Sequence, residues 1–88
     1  MKTEFLKQFD KDAKSISVQS VRNDGIKTIT NVENSTSRSQ IKGLKKLKGY
    51  KNAFRIKIGD YRIGIFIERN NVEFARVIHR KDIYKVFP

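Results

Sequence analysis

Three runs of alternating apolar and polar residues follow one another in the second half of the chain. They lie between Ala53 and Ile78 and are separated by two short turn signals. Alternation of this kind is typical of β-strands with one buried face. Gly59-Asp60 and Asn70-Asn71, which separate the runs, are dipeptides that favour two-residue hairpin turns. The pattern therefore predicts a three-stranded antiparallel meander.

Two-residue turns determine which residues face one another across the strands. With the turns named above, Lys57 faces Arg62, and Arg62 in turn faces His79. Arg55 lies on the same face, opposite Gly64. The other face carries the apolar side chains Phe54, Ile56, Ile58, Tyr61, Ile63, Ile65, Ile67, Phe74 and Ile78. We therefore expect one face of the meander to be the core and the other to be cationic.

The predicted row of Lys57, Arg62 and His79 is unfavourable by itself. Like charges that face each other directly in a sheet cost stability, on the order of a few tenths of a kcal/mol per pair. An anionic ligand on this face would explain the arrangement. The alternative is an ordinary solvated sheet face.

The first half of the chain predicts one strand and two helices. The segment Glu4–Lys7 alternates and indicates a first strand that joins the sheet. Asp10 is a candidate N-cap for a short helix over Lys11–Ile16. Apolar residues at close to helical spacing predict a second helix over Val18–Val32, which Gly25 weakens and could bend. Both helices are expected to cover the apolar face of the sheet.

The remaining segments are shorter. Residues 34–37 have the composition of a loop, and residues 39–49 suit either a helical turn followed by a strand or a basic loop. About one helical turn fits after Arg80. The sequence thus predicts a single α+β domain over residues 1–88. Its small antiparallel sheet, formed by the N-terminal strand and the C-terminal meander, packs on an N-terminal helical hairpin.

The positive charge is concentrated in the half that forms the sheet. The chain has a net charge of +11; residues 1–37 contain 6 basic and 5 acidic side chains, whereas residues 38–88 contain 14 and 4. Charge placed in this way indicates a nucleic acid or an acidic protein as partner, with solubility alone as the alternative. The absence of cysteine excludes disulfides and thiolate metal sites. Since no apolar run approaches the ~20 residues of a membrane span, we expect a cytoplasmic protein.

Four short motifs carry a family resemblance. They are Leu47-Lys48-Gly49, Phe54-Arg55-Ile56-Lys57-Ile58, Gly59-Asp60-Tyr61-Arg62-Ile63 and His79-Arg80-Lys81-Asp82-Ile83-Tyr84. In this order and spacing they resemble the RelE/ParE superfamily of toxins from prokaryotic toxin–antitoxin pairs. The segment Phe5–Ile16 resembles that family's first strand and helical hairpin, so the likeness covers nearly the whole chain. It implies the same α+β fold that the pattern predicts.

The superfamily that the sequence resembles has two activities, and the site residues present in the chain indicate which of them to expect. RelE-like members enter the ribosomal A site and cut mRNA without metal or cofactor, whereas ParE-like members poison DNA gyrase and lack the RNase residues. The positions that match a RelE-like site are Arg55, Lys57, Arg62, Arg80 and Tyr84. They favour a ribosome-dependent endoribonuclease that inhibits translation and is held in check by an acidic antitoxin. A basic RNA- or protein-binding module without catalytic activity is a third hypothesis.

The implied reaction is attack of a ribose 2′-oxygen on the adjacent phosphate. Lys57 is the candidate base, because a lysine crowded by another cation gives up its proton more readily. Three arginines, Arg55, Arg62 and Arg80, offer planar donor forks to the phosphate oxygens. Arg55 stands where RelE itself has a lysine, and an arginine can hold phosphate but cannot act as a base.

Other side chains have supporting roles in this hypothesis. Tyr84 is expected to stack on or orient a base, or else to pack against the sheet edge. His79 is an alternative acid or base, or else has no catalytic role. Basic side chains that precede the meander are expected to contact ribosomal RNA, with solubility as the alternative: Lys42, Lys45, Lys46, Lys48 and Lys51. The chain stops at Pro88 and leaves little of the C-terminal helix that antitoxins displace in many relatives.

Overall fold

The computed structural model describes residues 1–88 and has one five-stranded sheet with helices on both faces. Its elements are β1 (Lys2–Phe5), α1 (Lys7–Ser15), α2 (Gln19–Asn34), a 3₁₀ turn (Arg38–Gln40), β2 (Leu44–Lys46), β3 (Ala53–Ile58), β4 (Tyr61–Glu68), β5 (Asn71–His79) and α3 (Ile83–Val86). The strand order is β1-β5-β4-β3-β2. Only β1 and β5 are parallel. The predicted α+β fold, with its N-terminal strand, helical hairpin and meander, is confirmed.

The first helix begins earlier than predicted. It starts at Lys7 with Leu6 in the N-cap position, so Asp10 lies inside the helix and is not its cap. The Leu6 N–H donates a hydrogen bond to the Phe74 carbonyl at 3.0 Å, which keeps the chain on the sheet up to this residue. The helix must then begin at once for Phe9 to reach the core.

The other N-terminal and linking elements agree with the pattern. Helix α2 occupies Gln19–Asn34, close to the predicted range. Of the two alternatives for residues 39–49, the structure has the helical turn followed by a strand, here Arg38–Gln40 and β2. The single C-terminal helical turn is also present as α3.

One face of the sheet packs against α1 and α2 and forms the main core. Its buried members are Phe9, Ile16, Val21, Val32, Ile41, Phe54, Ile56, Ile58, Ile63, Ile65, Ile67, Val72, Phe74 and Val77. Nearly all the inward positions predicted from alternation in β3 and β4 lie here. Burial of this apolar surface is the main source of the fold's stability.

The opposite face carries a second, smaller apolar cluster. Ala53 and Ala75 of the sheet are buried there beneath Ile83 and Phe87, which come from α3 and the residue after it. Ile78 packs against this cluster, so its predicted place on the face covered by the helical hairpin is wrong. The prediction that the second face is cationic holds for only part of it, because α3 and Phe87 cover the rest.

The second hairpin turns one residue earlier than predicted. Glu68 faces Asn71, so the loop is Arg69-Asn70, and Arg69 adopts a positive φ of 54°. The predicted turn at Asn70-Asn71 would have placed Arg76 opposite Ile65, in the main core. Burying an unpaired cation costs far more than a positive φ at one residue.

A β-bulge in β5 completes the change of register. The pairing shifts between Gly64 and Ile65, where Ala75 is the additional residue of β5. Val72 and Phe74 point inward, and simple alternation would put Arg76 inward next. The bulge gives that position to Val77, which is 4% exposed. An apolar residue thereby replaces a charged one in the core.

Candidate active site

The first hairpin positions the central cations as predicted. Gly59 takes a φ of +60° in the turn, and Lys57 faces Arg62 while Arg55 faces Gly64. Because cross-strand partners project from the same face, Arg55, Lys57 and Arg62 lie together on the face away from the helical hairpin. We call these three residues the cationic patch.

Arg62 is held by the turn that precedes it. Its Nη1 donates hydrogen bonds to the carbonyls of Gly59 and Tyr61, both at 2.9 Å. These bonds fix the guanidinium beside the hairpin while its remaining N–H groups stay available to a ligand. The arrangement suits a residue that must present a planar fork in one orientation.

No carboxylate neutralises the cationic patch. The ion pairs of the molecule join Arg76 to Asp12, Arg80 to Asp60 and Lys85 to Asp82, and none involves a patch residue. Lys57 is exposed, and Arg55 and Arg62 are half-buried. Three cations in so small an area create a potential that attracts a multiply charged anion.

Arg80 is tied to the same hairpin. Its backbone N–H donates to the Asp60 carbonyl at 2.7 Å, and its Nε lies 3.8 Å from the Asp60 carboxylate. The end of β5 is therefore joined to the Gly59-Asp60 turn, which also orients Arg62. This contact brings a fourth cation next to the patch.

His79 does not lie in the predicted row. The bulge places it opposite Tyr61, while Arg62 faces Ile78. The two rings meet edge to face, with centroids 5.5 Å apart, and His79 Nδ1 accepts a hydrogen bond from the Lys81 N–H at 3.2 Å. The prediction that His79 faces Arg62 is therefore wrong. Its ring belongs to the face of the sheet that carries Tyr61.

Tyr84 lies on the exposed side of α3. This helical turn is anchored by Ile83 and Phe87, which are 0% and 3% exposed, whereas Tyr84 is 59% exposed. Phe87 packs on Phe66, with ring centroids 5.0 Å apart, on the face that carries the cationic patch. The patch and Tyr84 thus share one side of the molecule.

The predicted RNA-contacting lysines follow the free edge of the sheet. Lys45 and Lys46 are on β2, with Lys45 facing Arg55, and Lys42 precedes the strand. Lys48 and Lys51 lie in the loop from β2 to β3. All five are exposed and none forms an ion pair. They extend the positive surface outward from the patch.

An interaction that the sequence analysis missed supports β5. The Asp12 carboxylate accepts hydrogen bonds from Arg76 Nε at 2.7 Å and Nη2 at 3.2 Å, and from the Val77 N–H at 3.1 Å. Asp12 is 7% exposed. Its position three residues after Phe9, on the inward side of α1, was the available signal, since a charge placed there needs a partner.

The structure also answers whether the chain has a metal-binding cluster or a membrane-spanning helix. No three histidine or acidic side chains converge in a way that could hold a metal ion. No helix has the length and apolar character required to cross a membrane.

Comparisons with known proteins place the chain in a family. The family model for the ParE toxin of type II toxin–antitoxin systems matches residues 3–84. Toxin RelE3 of Methanocaldococcus jannaschii is 43% identical, with both chains covered completely. Among solved structures, a chain of the RelB–RelE antitoxin–toxin complex from Methanococcus jannaschii is 41% identical, with a TM-score of 0.79 over 97% of this chain and 99% of that one.

More distant structures share the fold. The YoeB dimer from Staphylococcus aureus gives a TM-score of 0.71 at 14% identity, over 90% of this chain and 95% of that one. The family match covers nearly the whole sequence, and the RelE relative matches it from end to end. The chain therefore belongs to the RelE/ParE superfamily of toxins of type II toxin–antitoxin systems.

Proposed function

We propose that this toxin is a metal-independent endoribonuclease that cuts mRNA in the ribosome and so inhibits translation. The observation that carries the proposal is the convergence of four cations on one hairpin. Arg55, Lys57 and Arg62 project from one sheet face, and Arg80 is bonded to the turn between them. Of the two activities in the superfamily, phosphodiester cleavage is the one for which such a cluster has a chemical use.

The reaction is a transfer of the phosphoryl group within the RNA. The ribose 2′-oxygen forms a bond to the adjacent phosphorus, and the bond from phosphorus to the 5′-oxygen breaks. The products are a 2′,3′-cyclic phosphate and a 5′-hydroxyl, which takes up a proton. Lys57 would accept the proton of the 2′-hydroxyl. The arginines would bind the non-bridging oxygens, where charge develops in the transition state.

The shape of the site supports dependence on the ribosome. The cationic patch lies on an open sheet face, and Lys57 and Arg80 are exposed. An open face supplies charge but little to align the 2′-oxygen, the phosphorus and the leaving oxygen, and such alignment can account for several kcal/mol of the barrier, roughly 7–11 in the best cases. A second surface must therefore hold the substrate, and the ribosomal A site would provide it.

An acidic antitoxin is the expected inhibitor. A chain of known structure that is 41% identical comes from a RelB–RelE antitoxin–toxin complex. The present chain has many unpaired cations on and beside the cationic patch. A partner that covers the patch would block both substrate binding and nonspecific attraction to RNA.

Gyrase poisoning is the second candidate, because the matching family model is that of the ParE toxin. ParE-like members lack the RNase residues, whereas this chain has a residue of matching type at Lys57, Arg62, Arg80 and Tyr84. The third possibility is a basic binding module with no activity of its own.

The experiment is to add the protein to a translating extract and to map the ends of the mRNA, with gyrase supercoiling assayed in parallel. We expect cuts within ribosome-bound codons that leave 5′-hydroxyl ends, and unchanged supercoiling. The triple variant Arg55→Ala, Lys57→Ala, Arg62→Ala should not cut. The matched control loses the same charge from the helical side and should cut normally. It is the triple variant Lys7→Ala, Lys11→Ala, Lys27→Ala. Inhibited supercoiling with intact mRNA would identify a gyrase poison. If supercoiling and mRNA were both unaffected, the protein would be a binding module.

A further inference from the structure

A shallow cleft near the cationic patch is lined by two tyrosines from different parts of the chain. The cleft has a volume of about 250 Å³ and is formed by Leu47, Lys48, Tyr50, Tyr84, Phe87 and Pro88. Tyr50 comes from the loop between β2 and β3, and Tyr84 from α3. Two aromatic rings on one small concave surface offer π-faces to a planar ligand.

Both rings are unusually open to solvent. Tyr50 is 51% exposed and Tyr84 is 59% exposed. The third tyrosine of the chain, Tyr61, is half-buried and packs against His79. Exposed aromatic rings bordered by charged groups are typical of ligand-binding surfaces, and their packing within the chain does not explain them.

The backbone on each side of the cleft is anchored. The Leu47 N–H bonds to the Ala53 carbonyl at 2.9 Å, and the Tyr50 N–H to the Leu47 carbonyl at 3.3 Å. Gly49, between them, takes a φ of +87°, which tightens the loop. Tyr84 is held from below by the buried Ile83 and Phe87. A backbone that is anchored before binding loses little conformational entropy when a ligand stacks on the rings that it carries.

Lysines without acidic partners lie around the loop between β2 and β3, which forms one wall of the cleft. A neighbouring depression is lined by Lys46, Lys48 and Lys51 together with Tyr50, and no carboxylate pairs with any of these lysines. Sites for single-stranded nucleic acid combine these two elements, cations that follow the backbone and aromatic rings on which bases stack.

We propose that the Tyr50–Tyr84 cleft binds a nucleobase of single-stranded RNA while Lys48 and its neighbours hold the adjoining phosphates. This inference rests on the proposed function and extends it to Tyr50. The loop joins β3 at Ala53, about 13 Å along the strand from Lys57, so one RNA strand can reach both sites. The cleft holds a nucleotide of the same strand as the scissile phosphate, and stacking there accepts any base because every base has a π-face.

The test uses short oligoribonucleotides without the ribosome. The chain has three tyrosines and no tryptophan, so tyrosine fluorescence reports directly on stacking. A hexanucleotide and versions with one abasic position each would be titrated into the parent, Tyr50→Ala, Tyr50→Phe and the control Ile26→Ala, which removes an exposed apolar side chain from α2. Thermal unfolding of each variant verifies that it is folded.

For the parent we expect quenching, and an abasic site at one position should weaken binding. Tyr50→Ala should weaken binding of the intact hexamer by about 5- to 150-fold, and the abasic site should then have no further effect. Tyr50→Phe keeps the ring and should bind like the parent, as should Ile26→Ala. Lys48→Ala should lower the slope of log affinity against log salt by roughly 0.7.

The outcomes separate this inference from the proposed function. Loss of oligonucleotide binding in Tyr50→Ala supports the cleft even if the parent cuts no mRNA. If Tyr50→Ala binds the hexamer as tightly as the parent, the cleft proposal is overturned, although the parent could still cut ribosome-bound mRNA. The proposal would also be overturned if Tyr50→Ala bound an acidic antitoxin peptide more weakly than the parent but bound RNA equally well, because the cleft would then be a peptide site.

Discussion

A β-carbon on Gly64 would lie 2.6 Å from the ring of Phe87, so the C-terminal segment can rest on the sheet only because residue 64 has no side chain. Gly64 faces Arg55 across β3 and β4. The ring of Phe87 therefore sits beside the cationic patch and holds α3, with Tyr84, on the same side of the sheet. A missing side chain in β4 thus determines where an aromatic residue of the candidate site can lie.

We expect Gly64→Ala to displace Phe87 and weaken the docking of α3. Insertion of a methyl group into a packed contact of this kind costs about 1–3 kcal/mol. The free energy of unfolding from urea titration measures this cost. The rate of mRNA cleavage should fall as well, because Tyr84 loses its support.

Gly25→Ala is the matched control for that change. Gly25 lies in α2, where a β-carbon would meet nothing closer than 4.0 Å. Alanine should stabilise the helix by about 0.5–1 kcal/mol and leave cleavage unchanged. A Gly64→Ala protein as stable as the parent would contradict the packing described for Phe87.

The role of Lys57 as a base is tested by Lys57→Arg. The substitution keeps the positive charge but introduces a guanidinium, which cannot be deprotonated in a protein and so cannot act as a base. Single-turnover cleavage of a programmed ribosome should slow by roughly 10²–10⁴-fold, with little change in ribosome binding measured by titration. If the variant cuts as fast as the parent, Lys57 acts only as a cation and another group must be the base.

Arg62→Lys separates the guanidinium fork from its charge. Arg62 donates to two carbonyls of the hairpin, and lysine cannot reproduce that orientation together with a bidentate contact to phosphate. Cleavage should fall on the order of 10²–10³-fold, again with binding largely retained. Arg55→Lys is the comparison and should be mild or even favourable, because RelE has a lysine there.

The buried ion pair between α1 and β5 should matter for stability rather than chemistry. Asp12 and Arg76 have side chains that are 6% and 21% exposed. Asp12→Ala leaves the arginine and the Val77 N–H without a partner and should lower the free energy of unfolding by about 3–5 kcal/mol. Asp60→Asn, which breaks only the exposed pair with Arg80, should change it by less than about 1 kcal/mol. Equal effects of the two changes would show that burial of Asp12 is unimportant.

We expect an acidic antitoxin to protect the sheet face rather than the helical hairpin. Amide hydrogen exchange of the complex should slow in β3 and β4, and the triple alanine variant of Arg55, Lys57 and Arg62 should bind the antitoxin more weakly and with a smaller salt dependence. The Lys7, Lys11 and Lys27 triple variant provides the control. A complex in which the antitoxin contacts the hairpin alone, with the patch open to solvent, would exclude inhibition by masking.

Much of the patch could be predicted because the first hairpin has an unambiguous turn. Gly59 readily takes the positive φ that such a turn needs, and the register of β3 with β4 follows from it. Alternation then assigns Arg55, Lys57 and Arg62 to one face without further information. The position of Arg80 beside them came from the resemblance alone, because its bond to Asp60 is a long-range contact.

The second hairpin could not be predicted in the same way. Asn70-Asn71 looks like the better turn, yet Arg69 adopts the positive φ because this register, with the bulge at Ala75, keeps Arg76 out of the core. A bulge has no composition signal, and one residue of shift was enough to misplace His79 and Ile78. The sequence did not indicate the cleft that Tyr50 lines, because a loop has no periodicity from which to infer what its side chains face.

Asp12 also determines how β5 meets other molecules. β1 ends at Phe5, so the rest of β5 would offer free backbone donors to the strand of another chain, a common route to aggregation. The Asp12 carboxylate occupies the Val77 N–H, and Arg76 folds over the carboxylate. The opposite edge, β2, is open but carries Lys45 and Lys46, and two such edges repel each other. One border of the sheet is thus blocked by a side chain and the other by charge, and both features oppose pairing of this sheet with the edge strand of another molecule.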